Sequence, residues 1–211
     1  MRIIGEDHRI FNNYLHGLAG RDFESAMPIN NGIPNSKLNE YFRVQRVLVA
    51  FNTFVDCAQN ITFGVGAGKR NRVESPVDMV FANNLVVGKR GPLVGFDDRP
   101  VNTTWIGNVV WGADPGVDTP GVKVADIALY DTPPLAYPDR QNIGDAAEGS
   151  FPFVTDDIEG RPRVEPKDVG CFEVTNSDVK PTRRPLTPRE VGPNWRVPEL
   201  PMPTTQPLSK D

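Results

Sequence analysis

Residues Val47–Asn60 read VLVAFNTFVDCAQN, a short apolar run, an Asn, and a second short apolar run. The same shape recurs in RIFNNYLHGLAG (Arg9–Gly20) with Asn12, in MVFANNLVVGKRG (Met79–Gly91) with Asn83, and in TTWIGNVVWGADPG (Thr103–Gly116) with Asn108. Self-similarity at roughly 20–45 residues signals a repeat architecture. A strand of about five residues cannot bury its own apolar face, but stacked copies bury it together. Asn suits a sharp corner because it tolerates left-handed backbone and bonds to nearby peptide groups. Recurring at one corner, its amides can bond from copy to copy, as in stacked cross-β assemblies. The pattern predicts an all-β fold, a single-stranded right-handed parallel β-helix with Asn12, Asn52, Asn83 and Asn108 aligned. A β-sandwich with coincidental Asn pairs is the alternative.

Composition agrees with a turn-rich chain. Among 211 residues there are 19 Gly and 21 Pro, and helical periodicity is scarce. The formal net charge of −4 gives no general attraction to nucleic acid or membrane. No apolar run approaches the ~18 residues of a membrane span. Cys57 and Cys171 lie too far apart in sequence to decide a disulfide; Cys57 follows an apolar strand and reads as a small buried thiol. Met1–Gly5 already reads as a strand, with no signal peptide or polar cap before it. That predicts a partial β-helix lacking N-terminal coils, with a missing N-terminal half as partner; a short protein whose first coil is covered by a partner is the alternative.

Each coil divides into three parts. A first strand (Arg2–Gly5, Ala26–Asn30, Ile61–Val65, Leu93–Phe96) precedes a loop (Glu6–His8, Asn31–Arg46, Gly66–Asp78, Asp97–Asn102), and the Asn-corner pair follows. Loops that follow the same strand emerge on one side, where binding usually lives. Gly66–Glu74 reads GAGKRNRVE, a flexible backbone with Lys69, Arg70 and Arg72 clustered. Arg captures carboxylates or sulfates bidentately, so the loop reads either as an anionic-polymer site or as a solvated charge run. Arg21 precedes the second first-part strand, and Lys37 and Glu40 sit on the loop Asn31–Tyr41. Farther on, Asp156–Val174 is expected to close the last coil with Val169, Phe172 and Val174 inside. Thr187–Glu190 has a capping-box pattern, predicting one helical turn that packs Trp195. The division is 1–175 for the coils, 176–195 for a closing segment and 196–211 for a Pro-rich tail.

The runs RIIGEDHRIFNNYLHGLAG, AMPINNGIPNS, AFNTFVDCAQNITFGVGAG and FANNLVVG, with DIEGRPRVEPKDVGCFEV and PLTPREVGPNW, resemble the C-terminal half of the alginate lyase and chondroitinase B polysaccharide lyases. The resemblance covers roughly Met1–Trp195. It implies β-elimination on a uronate polysaccharide: neutralise the carboxylate, remove the C5 proton, protonate the leaving oxygen. It implies a calcium ion for the first task, held by an Asn and two acidic residues, and a Lys and an Arg as base and acid. All of these lie upstream of the segment matching Met1–Gly20, so no catalytic residue and no metal ligand carries over. Glu6, Asp7 and His8 are not promoted, and His8 reads as a satisfied turn residue. Substrate contacts carry over to Lys69, Arg70 and Arg72, and by a weaker match to Arg21; Lys89, Arg90 and Arg99 are nearby candidates, with plain solvent exposure the favoured alternative. The implied partner is an anionic polysaccharide, alginate first and chondroitin or dermatan second, met in the periplasm or outside the cell. A non-catalytic carbohydrate-binding β-helix and a structural spike are the alternatives.

Overall fold

The computed structural model describes residues 1–132 and 135–174. Its strands form four stacked rungs. The first rung has a bridge at Ile3, then β1 (Arg9–Phe11) and β2 (Tyr14–His16). The second has β3 (Met27–Asn30), β4 (Leu48–Ala50) and β5 (Thr53–Val55). The third has β6 (Ile61–Val65), β7 (Val80–Ala82) and β8 (Leu85–Gly88). The fourth has β9 (Val94–Phe96), β10 (Thr104–Ile106) and β11 (Asn108–Gly112). Like strands pair in parallel to make three sheets, β3-β6-β9, β1-β4-β7-β10, and β2-β5-β8-β11 extended by β12 (Val122–Val124). This is the right-handed parallel β-helix that the repeat predicts, right-handed as crossover connections between parallel strands are. An antiparallel hairpin, β13 (Leu129–Thr132) and β14 (Leu135–Pro138), follows.

Alternation of side chains along each strand puts one apolar residue per strand in a shared interior. Ile10, Val49, Phe81 and Trp105 align in one column, and Leu15, Phe54, Val86 and Val110 in a second. Ile29, Phe63 and Phe96 form a third, where Phe63 and Phe96 stack with centroids 5.4 Å apart. Between β3 and β6 the register slips by one residue at Gly64, whose φ of +76° and close approach to the Asp98 backbone admit no side chain.

The corner differs from the sequence expectation in one respect. The amide ladder is built from Asn13, Asn52, Asn84 and Asn108, not from Asn12 and Asn83. Asn13 Nδ2 donates to Asn52 Oδ1 (2.8 Å), Asn52 Nδ2 to Asn84 Oδ1 (2.9 Å), and Asn84 Nδ2 to Asn108 Oδ1 (3.0 Å). Asn12 and Asn83 occupy the preceding slot with Phe51 and Gly107, all four at φ between +51° and +54°. The corner thus takes two residues, one that turns the chain with left-handed backbone and one that bonds between rungs.

A second difference concerns the C-terminal segment. Residues 147–174 do not close the last coil; they run back as a strap over the outside, from the fourth rung to the first. Glu148 exchanges hydrogen bonds with Asn83, Phe151 packs on Phe51 (5.6 Å) and Phe153 on Phe11 (5.6 Å). A second pass brings Gly170 N to Asn83 O, Cys171 N to Thr53 Oγ1 and Phe172 against Tyr14. Val169, Phe172 and Val174 are buried as expected, but in an outer cluster with Leu85, Val87 and Val109. The physical reason lies in the outward positions of β5, β8 and β11, which are themselves apolar and need a cover. The segments 176–195 and 196–211, with the expected turn at Thr187–Glu190 and Trp195, lie outside the described residues.

Candidate functional site

The loops do leave the solenoid on one side. They depart after β3, β6 and β9 and rejoin in register at Gln45, Val77 and Val101, which bridge in parallel. There they frame a cleft of about 420 Å³ lined by Arg2, Phe23, Tyr41, Lys69, Arg70 and Arg72. Four of the six lining residues are cations and two are aromatic.

Local sequence builds this cleft. Asp22–Glu24 forms a single 3₁₀ turn that leads into β3 and delivers Phe23. Lys69–Asn71 forms another, entered through Gly68 at φ +73° and kinked at Arg70 (φ +51°, ψ +46°). The loop is closed at its base: Lys69 N donates to Gly66 O (3.0 Å), Arg72 N to Lys69 O (3.1 Å) and Gly68 N to Arg72 O (2.9 Å). Lys69 and Arg70 project from it into solvent. Arg72 does not: it is only 6% exposed. Its guanidinium lies 3.7 Å from the Tyr41 ring centroid and 4.8 Å from that of Phe23. On Phe23 stands a second guanidinium, that of Arg2 (5.5 Å), which also donates to Phe23 O (3.0 Å).

Acidic groups sit at the margin. Asp98 accepts from Asn31 Nδ2 (2.8 Å) and Ser75 Oγ (2.5 Å), and these bonds hold its carboxyl below the usual carboxylate range. Burial, then repulsion from Asp22, raises the carboxyl of Asp97 against the pull of Lys69.

Other candidate residues fall elsewhere. Arg21 is exposed at the N-terminal end of the Asp22–Glu24 turn, and the cleft lining does not include it. Arg46 pairs with Glu6 (2.6 Å) and Asp7 (2.8 Å), and His8 Nε2 bonds to Ile4 O (2.8 Å), so all three acidic-turn residues are structural. Lys89 pairs with Asp56 (3.5 Å), and Arg99 stacks on Phe96 (4.6 Å). Arg2, Phe23 and Tyr41 escaped the sequence reading. The available signal was aromatic residues set among charges, as in RDFES and NEYFR. Both cysteines are free and buried.

Among the described residues no group of three or more His, Cys, Asp or Glu side chains is placed to hold a metal. Nor is any helix among them long and apolar enough to cross a membrane.

The family model described as Chondroitinase B matches residues 1–149. The chain belongs to the chondroitinase B family. Among solved structures, the PL6 family alginate lyase AlyGC is similar at 30% identity, covering 66% of this chain and 19% of that one, with a TM-score of 0.60. An arginine-to-alanine mutant of AlyGC is similar at 26% identity over 95% of this chain and 23% of that one, with a TM-score of 0.66. This chondroitinase B family chain thus spans about a fifth of the length of those structures. No curated protein matches it.

Proposed function

We propose that this chain is the polymer-gripping part of a polysaccharide lyase that cleaves uronate-containing chains by β-elimination. Alginate is the first substrate and chondroitin or dermatan the second, and the polymer is met in the periplasm or outside the cell. The observation that carries the reading is the cleft in which exposed Lys69 and Arg70 stand beside Phe23 and Tyr41. A polyuronate offers one carboxylate per uronate residue to such cations and apolar ring faces to the aromatics. The family membership and the name of the AlyGC structures support the same class. Arg21 stands outside the cleft lining and belongs to this reading as a peripheral contact.

No proton-transfer residue is assigned among the described residues, so the reading is binding without turnover by the 211-residue chain. Titration with poly-mannuronate and with chondroitin sulfate, at low and at high salt, tests it. The expected result is salt-sensitive binding of poly-mannuronate in preference to chondroitin, with no rise in near-ultraviolet absorbance from unsaturated product. Replacing Lys69 and Arg70 with Ala is expected to weaken binding about tenfold or more. Affinity unchanged by that double replacement at low salt refutes the site.

A further inference from the structure

The basic loop carries three cations, but they are not equivalent. Lys69 and Arg70 are exposed, whereas Arg72 is buried as the third member of an alternating stack, Arg2–Phe23–Arg72–Tyr41. The stack draws its members from the first rung, the turn before β3, the loop between β6 and β7, and the loop between β3 and β4. Room for it comes from Gly66, at φ +85°, where a Cβ would collide with Arg72 Nη1 and press on Phe23. Arg72 also closes the base of the loop through its own peptide N–H and carbonyl. Its Nε has no hydrogen-bond partner among the described residues, and the two ring faces lie against the guanidinium.

We propose that Arg72 is a positioning residue: its guanidinium, clasped between Phe23 and Tyr41, fixes three segments against one another and so aims Lys69 and Arg70 at the polymer. The inference rests on the polyuronate reading for its ligand, but not for its geometry. A planar, delocalised cation is required, because an ammonium cannot lie flat between two rings. Arg72→Lys keeps the charge and loses the clasp, which separates positioning from charge.

Two measurements on the full chain decide it. The first is amide exchange of residues 33–41 without ligand, with β4 as the control for an intact fold. The second is poly-mannuronate affinity across a salt series, whose slope counts the cations that meet a polyanion. Arg72→Lys is expected to speed exchange in residues 33–41 about tenfold and to weaken affinity about tenfold, with the salt slope of the parent. Arg70→Ala is expected to flatten the slope and leave that exchange alone. Native exchange and native affinity in Arg72→Lys overturn the inference; so does a slope that flattens in Arg72→Ala and recovers fully in Arg72→Lys. If the parent binds no poly-mannuronate, the polyuronate reading falls while the exchange result still decides the clasp. Should Arg72→Lys fail to fold, Tyr41→Leu carries the same test, with exchange in residues 66–72 expected to rise and an unchanged rate counting against it.

Discussion

Asn84 shows what one residue does in this fold. Its Oδ1 accepts from Asn52 N (3.1 Å) and Asn52 Nδ2 (2.9 Å), while its Nδ2 donates to Val49 O (2.9 Å) and Asn108 Oδ1 (3.0 Å). All of this is fully buried. Truncation to Ala strands several buried polar groups, each costing about 1–3 kcal/mol. Asn84→Ala is therefore expected to destabilise the chain by about 3 kcal/mol or more, seen as a fall in the urea midpoint. Asn102→Gly removes one exposed bond to Asp78 (3.2 Å) and should stay within about 0.5 kcal/mol. Equal effects would mean that the ladder contributes nothing specific. The recurrence of Asn was legible in the sequence, but its exact place was not. Two corners offer adjacent asparagines, Asn12-Asn13 and Asn83-Asn84, and the other two settle the frame only once Phe51 is known to turn the chain. A bulky residue at φ +53° is uncommon. Its ring is held from outside by Phe151 and by the Arg163 guanidinium at 4.8 Å, both about 100 residues later in the chain, beyond any local pattern.

At the scale of the element, the loop between β6 and β7 explains why its glycines differ. Gly66 and Gly68 both have positive φ, yet only Gly66 faces Arg72 and Phe23, while Gly68 faces open space. An Ala at Gly68 carries the backbone cost alone, about 1 kcal/mol. An Ala at Gly66 adds displacement of the stack and should cost about 3 kcal/mol, measured by urea unfolding together with amide exchange of residues 66–76. Equal losses at the two positions would contradict the packing. Beside this loop, Asp98 gives the site a pH dependence of definite sign. Its folded carboxyl lies below the ordinary value of 3.8, so the folded form binds fewer protons than the unfolded one. That stability is present above about pH 4 and is lost as pH falls through the folded value. Asp98→Asn should flatten the acid limb of the stability curve below pH 4; an unchanged limb would put the dependence elsewhere. The sequence revealed the basic loop through its Gly-Ala-Gly and its charges. It hid the aromatic partners, because Phe23 and Tyr41 come from two other loops that only the stacking of rungs brings together.

For the whole molecule the deciding feature is the strap. A solenoid couples each rung only to its neighbours, so its end rungs open first. Residues 147–174 counter this by touching every rung from the fourth to the first. Their pin is Arg163, whose Nη1 donates to Asp168 O (3.1 Å) and Glu173 Oε2 (3.2 Å), and whose Nη2 donates to Asn12 Oδ1 (3.0 Å) and Gly170 O (2.7 Å). Its side chain is fully buried. Burial pushes the Arg163 pKa down and the Glu173 pKa up; the peptide N–H groups of Asp168 and Val164, which donate to Glu173, and the pairing of the two side chains oppose that desolvation. Arg163→Ala leaves Glu173 buried without its partner, a loss of about 3–5 kcal/mol. The consequence should be directional. Strap opening frees Cys171, whose thiol is pushed up to about 12 by burial, so a thiol reagent at pH 8 should label it far faster in Arg163→Ala than in the parent. Amide exchange should rise most in β1 and β2, less in β4 and β5, and least in β8, because Asn12 loses its tie first. A uniform rise across the three rungs would show that the solenoid is cooperative without the strap, and that the segment only covers apolar surface.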